Sequence, residues 1–394
     1  MNSGPHLQSL FGDLSPWLNP PVFWPAHPAQ GVPFLETLKE ATVKIIGRSV
    51  GGHEIPAIEY GVKEPINATT YNLHSALASG VSNPDPTAIY PDNFYGSVRR
   101  KLPVVVIQGG IHGDEITGTA ASLNLCHIIE TGTDLRGRPW PELREMARNA
   151  RVCIIPWLNM DGALRSPVAH ESGLDTTVAA AILAGVTKEG TPLKYPKFKS
   201  VFPIPPEDMA FMGTYFNDAG VNLQYDFCLP RRQPETVAWM DYYLDERPDG
   251  VIIWHGNAGS LIGPPGYYLP PGHQLEETRI AGAVHARLLR EGFDHPVAGR
   301  LSWASLPGMG KPFIDQSTAV YHVCGALPVM CELPTGCKDY FCSCEDMLTI
   351  GLLTLEEIFR YAHNEGLRPY EYWKKVRDKR QKTPVQTEKL TPEH

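Results

Sequence analysis

Four short apolar runs constrain the fold more than any other feature of the chain: Pro103–Ile107, Val152–Trp157, Val251–Trp254 and Leu327–Cys331. They are rich in Val and Ile, lack polar alternation and end abruptly in polar or Gly-rich residues, as strands buried on both faces do. Helix-like stretches at Thr117–Glu130, Glu235–Leu244, Leu275–Glu291 and Glu345–Asn364 lie between and after them. Alternating strand and helix predicts an α/β sheet covered by helices on both faces. Upstream, Val43–Ile46 and Ile55–Tyr60 flank Gly51-Gly52 and read as a hairpin.

With 394 residues, 42% apolar and 20% charged, the chain has the material for a core and too little charge for disorder. A single large domain over residues 35–365 is the preferred division. Its 37 Pro and 36 Gly include roughly twice the usual 5% share of Pro, which signals many loops. Part of this excess falls in residues 1–34, a Pro- and aromatic-rich arm that cannot be one continuous helix. More falls in a long segment, 163–219, with one helix candidate at Thr176–Ala184; a loop of that length implies an insertion at the rim of a site. Two turns, Gly263-Pro264-Pro265-Gly266 and Pro270-Pro271-Gly272, add to it, and a basic tail occupies 366–394.

The formal charge of -8 argues against nucleic acid as a partner. No basic start followed by an apolar run opens the chain, and no stretch reaches the roughly 18 apolar residues of a membrane span, so a soluble, cytoplasmic protein is expected. Cys324, Cys331, Cys337, Cys342 and Cys344 crowd together. A metal or redox site is one reading; the absence of paired C-x2-C knuckles favours free or incidentally paired thiols.

Ligands of open α/β sheets bind beyond the carboxyl ends of strands. There the sequence offers His112 and Glu115 after the first run, His255 after the third and Glu332 after the fourth. Two imidazoles and a carboxylate are the ligand set of a catalytic zinc with an open position for water, and a further carboxylate is then a general base. The H-x-x-E spacing alone is weak evidence.

The set as a whole resembles the zinc metallocarboxypeptidase family, M14. The resemblance is ordered along roughly residues 42–360: the hairpin Ile46-Gly47-Arg48-Ser49-Val50-Gly51-Gly52-His53-Glu54-Ile55, the motif Gly109-Gly110-Ile111-His112-Gly113-Asp114-Glu115, then Asn159-Met160-Asp161-Gly162, Pro234-Glu235-Thr236, Trp254-His255-Gly256 and Cys331-Glu332-Leu333-Pro334. It implies a mixed central sheet and one zinc held by His112, Glu115 and His255. It also implies that Glu332 activates a zinc-bound water to hydrolyse an amide.

The departures concern the substrate. Family members typically have Gly-Thr-Arg where this chain has Gly213-Thr214-Tyr215, and Asn-Arg where it has Gln224-Tyr225. Tyr215 thus replaces the Arg that polarises the scissile carbonyl, and Gln224 and Tyr225 replace the clamp for a terminal carboxylate. A neutral hydroxyl does not substitute for a bidentate guanidinium, so a substrate with a neutral leaving side is expected, with Tyr215 donating to the oxyanion. The alternative is a true carboxypeptidase or an N-acyl amino acid deacylase, with Arg165, Arg231 or Arg232 restoring the charge. A non-catalytic ligand-binding protein is the third reading. Asn222 stands where the family has the Asp that orients the first zinc histidine, and Gly308, Met309 and Gly310 occupy the region of a usual family Tyr. Oligomeric state is left open.

Overall fold

The computed structural model describes residues 5–65, 101–194, 197–199, 203–257, 261–262, 269, 271–293 and 315–367. The Gly263–Gly266 turn, Pro270, residues 308–310 and nearly all of the basic tail lie outside them. Nine strands are described: β1 (Thr42–Arg48), β2 (Glu54–Tyr60), β3 (Val104–Gln108), β4 (Arg151–Ile155), β5 (Gly185–Thr187), β6 (Met209–Met212), β7 (Gly250–Asn257), β8 (Leu261–Ile262) and β9 (Leu327–Pro334). Seven form one sheet in the order β1-β2-β4-β3-β7-β9-β8, and β5 pairs with β6.

The four apolar runs are the centre of this sheet. β4, β3, β7 and β9 pair in parallel, while β1, β2 and β8 add antiparallel edges, so the sheet is mixed. Every residue of β3 and β4 is buried, which explains the missing alternation. One difference from the sequence reading matters for the site. The third run extends beyond Trp254, because β7 and β9 stay in register through His255↔Glu332, Gly256↔Leu333 and Asn257↔Pro334. His255 and Glu332 therefore stand within paired strands, as direct neighbours, and not in loops after them.

Helices Thr117–Thr131, Pro141–Arg148, Pro271–Arg290 and Cys344–Asn364 pack on one another on one side. Pro234–Glu246 and Gln316–Cys324 pack together on the other. The Gln316–Cys324 helix is absent from the sequence expectations; nine residues ending at Gly325 in the left-handed conformation give too short a period to stand out. The 163–219 segment carries the expected helix at Thr176–Ala184, capped by Asp175, and the β5–β6 ribbon. The N-terminal arm contains short helices at Pro5–Phe11 and Pro28–Leu35. Its Trp24, Ala26 and Leu35 belong to the main core.

At the end of the sheet away from these histidines, Arg151 is buried and donates to Glu59 (2.6 Å), Glu246 (3.0 and 3.1 Å) and the Gly61 carbonyl (2.9 Å). Lys44 and Lys63 complete the network with contacts to Glu59 and Glu246. Removing the central cation leaves two buried carboxylates short of partners, which typically costs about 3 to 5 kcal/mol. Arg151→Met is expected to lose stability of that order in urea denaturation while retaining the metal content of the parent.

Candidate metal centre

The His112–Glu115 turn is shaped by close backbone contacts. After β3, Gly109 and Gly110 accept hydrogen bonds from Leu158 and Asn159 (3.1 and 2.7 Å), so the loop after β3 is fastened to the loop after β4. Asn159 in turn caps the helix Met160–Arg165 by accepting from the Gly162 amide (2.9 Å). Gly113 rests on that cap: a Cβ there would lie 2.2 Å from the Gly162 carbonyl carbon, and its amide donates to Thr214 (2.9 Å). The turn thus presents His112 and Glu115 inward, toward His255 on β7.

Glu115 Oε2 lies 2.9 Å from His112 Nδ1 and 3.0 Å from His255 Nδ1. One ligand atom from each of the three residues falls within 4.8 Å of the others, all three residues being buried. His112 Nδ1 is buried and close to Glu115 Oε2 but not aligned with it for a hydrogen bond. An imidazole nitrogen without an aligned partner, converging with a second imidazole and a carboxylate, fits a zinc ion, whose usual ligands are these N and O donors. Electrostatics agree. Burial holds His112 down at about 4, so the ring is neutral at pH 7. Burial works to raise Glu115, but the two imidazoles outweigh it and keep the carboxylate ionised. Glu332, beside His255, is pushed up to about 7 by burial, with Glu115 adding to the shift and His255 and Lys199 opposing it.

Among the other residues singled out from sequence, Asn222 Oδ1 lies 3.4 Å from His112 Nε2, and also receives the Gln224 amide (3.0 Å). Tyr215 stacks on His112, centroids 3.6 Å apart and planes 12° from parallel. Its hydroxyl donates to Glu115 Oε1 at 3.0 Å, so its one proton serves the carboxylate and leaves Oε2 to the two imidazoles. Gln224 and Tyr225 are buried beside Asn222. Arg165 is engaged elsewhere, donating to the Gly213 and Phe216 carbonyls (3.0 and 2.9 Å) and to Asp218, and so braces the loop that carries Tyr215. Arg231 and Arg232 are exposed, and Arg232 donates to the Phe227 carbonyl. The cysteine cluster forms no group of three ligand residues; among the described residues His112, Glu115 and His255 do.

Three residues near the centre escape a reading of the sequence. Lys199, from the 163–219 segment, donates to the Tyr215 hydroxyl at 3.0 Å. Asp315 caps the helix Gln316–Cys324, is buried, and acts on both His255 and Lys199. Asp114 is buried behind Glu115, and burial with the Glu115 charge lifts it to about 7. Their only sequence signals are a lysine among several in the insertion, a helix-capping aspartate and an acidic neighbour of a ligand.

Gly256, one residue past His255, faces the Glu115 side chain, and a Cβ there would lie 2.9 Å from both Glu115 Cγ and Thr335 Cγ2. Gly256→Ala is expected to push Glu115 off the two imidazoles and weaken zinc binding about 10- to 100-fold, the usual range for disturbed support of a ligand. Competition with a chromogenic chelator measures this; unchanged affinity would show that Glu115 is not held by this contact.

Residues 35–170 match the family description "Zinc carboxypeptidase", Peptidase M14. No curated protein matches the chain. Among solved structures, a metallo-carboxypeptidase from Burkholderia cenocepacia is similar at 14% identity and a TM-score of 0.50, over 85% of this chain and 69% of that one. A metallo-carboxypeptidase from Pseudomonas aeruginosa, solved with (2-guanidinoethylmercapto)succinic acid, is similar at 15% identity and a TM-score of 0.50, over 86% and 69%. At such identity these structures speak for the fold alone, and the segment matched by the family description contains His112 and Glu115. The chain is similar to the zinc carboxypeptidase family, M14, over residues 35–170 and shares the fold of these metallo-carboxypeptidase structures.

Proposed function

We propose that the protein is a zinc-dependent hydrolase of a peptide-like amide bond whose pocket differs from that of C-terminal carboxypeptidases. The observation that carries this reading is the convergence of His112, Glu115 and His255 with Glu332 paired directly to His255 across β7 and β9. When bound by the three ligands, zinc would supply Lewis acidity and acidify a water at neutral pH. Glu332 takes the proton of the attacking water and returns it to the leaving nitrogen. Tyr215 holds Glu115 through its hydroxyl and His112 through ring stacking, and Asn222 fixes the far side of the His112 ring.

The substrate side follows from what the guanidinium groups do. Arg165 is committed to backbone carbonyls and Asp218, and Arg231 is exposed. Gln224 and Tyr225 offer only neutral groups in the region where a carboxylate clamp would be expected. These features favour a substrate with a neutral leaving side, such as an amide, lactam or aromatic amine, over a free C-terminus or an acidic amino acid. A reducing, cytoplasmic setting is proposed from the cysteines of the described residues, seven of which are buried and free. No helix among the described residues is long and apolar enough to cross a membrane.

Glu332→Gln is expected to keep one zinc per chain and to lower amide hydrolysis by a factor of about 100 to 10,000, the range for a lost general base. Metal analysis and progress curves on the same preparation check both halves. Full activity in this variant, or no zinc in the parent, would overturn the reading.

A further inference from the structure

The loss of the family's arginines leaves the site acidic. Burial lowers the pKa of Lys199, and Glu115, Glu332, Asp315 and Asp114 oppose that shift and support its charge; the residue comes from the 163–219 segment and not from a motif position. The turn Lys197–Lys199 is seated over the metal-binding residues by three contacts. The Phe198 carbonyl accepts from Asn222 Nδ2 at 3.5 Å. Phe198 meets the Tyr215 ring edge to face at 5.5 Å. Lys199 Nζ lies 4.4 Å from the centre of the Tyr215 ring and donates to its hydroxyl at 3.0 Å.

That hydroxyl donates in turn to Glu115 Oε1, so the ammonium stands two hydrogen bonds from a zinc ligand. An ammonium has three donor hydrogens, and this one spends one of them on Tyr215 in the contacts described. Tyr215 has a single proton, directed to Glu115, and so cannot also serve a substrate oxygen.

We propose that Lys199 is the electrophilic group of the site, donating to the oxyanion that develops on the scissile carbonyl in place of the missing motif arginine. The inference rests on the zinc hydrolase reading. The carbonyl oxygen gains charge as water adds to the carbon, and Lys199 shares that charge without giving up its proton. Tyr215 is then a positioning residue that aims Lys199. A lysine is a compact point charge and cannot form the bidentate clamp of a guanidinium, so its placement beside the metal ligands suits one developing oxygen better than a planar carboxylate.

The test uses the full chain loaded with zinc, with phenylphosphonate as a tetrahedral anionic probe and benzoylglycylphenylalanine and its C-terminal amide as substrates. Lys199→Met is expected to retain one zinc per chain, to weaken phenylphosphonate binding at least tenfold by calorimetry, and to lower kcat on the amide about 100-fold with KM changed less than about threefold. Lys199→Arg restores part of both. Unchanged phosphonate binding in Lys199→Met, or a parent that takes up zinc yet does not bind phenylphosphonate, overturns the assignment alone. A variant whose main defect is a raised KM for the free acid, with the amide unaffected, identifies a carboxylate anchor and also overturns it. A parent that takes up no zinc overturns the hydrolase reading itself, and this inference with it.

Discussion

The site depends on one carboxylate oxygen. Glu115 Oε2 stands at hydrogen-bond distance from two imidazoles, one from the turn after β3 and one from β7, and each of the surrounding devices keeps it there. The tyrosine hydroxyl occupies the other oxygen, the missing Cβ of Gly256 leaves room for the side chain, and the close approach of Gly113 to Gly162 sets the turn from which it projects. A buried carboxylate satisfies two imidazoles only in part, since His112 Nδ1 is close to Glu115 Oε2 but not aligned with it for a hydrogen bond. That residual frustration is the structural counterpart of metal affinity.

The parallel pairing of β3, β7 and β9 is the second constraint. It carries residues from three distant stretches of chain to one edge of the sheet, and a slip of one residue between β7 and β9 would point Glu332 to the opposite face from His255. The predominant burial of these strands fixes their pairing so firmly that neither residue needs a specialised loop.

Much of this was legible in the sequence for physical reasons. Strands buried on both faces must be uninterrupted apolar runs, and metal chemistry demands a few residue types, so His112, Glu115, His255 and Glu332 stand out even before their distances are known. The strand ends were less legible, since His255 and Glu332 lie inside the paired region where hydropathy alone would stop at Trp254 and Cys331. The electrostatics of the rim were not legible. Lys199 sits in a segment whose path is set by contacts of Phe198 and Tyr215, and nothing in the local sequence distinguishes it from Lys194 or Lys197. Arg165 shows the reverse: a cation at a suggestive position whose donors serve backbone carbonyls.

The N-terminal arm bears on the chemistry from below. The Trp157 indole donates to the Ala26 carbonyl at 2.7 Å, and its ring presses so closely on Gly31 that a Cβ there would sit 2.3 Å away. Trp157 immediately precedes the two residues that fasten the loop after β3, so the arm acts as a wedge under the metal-bearing turn. The arm and the turn thus form one mechanical unit: loss of the arm would take from Trp157 both its Ala26 acceptor and the Gly31 backbone against which its ring rests.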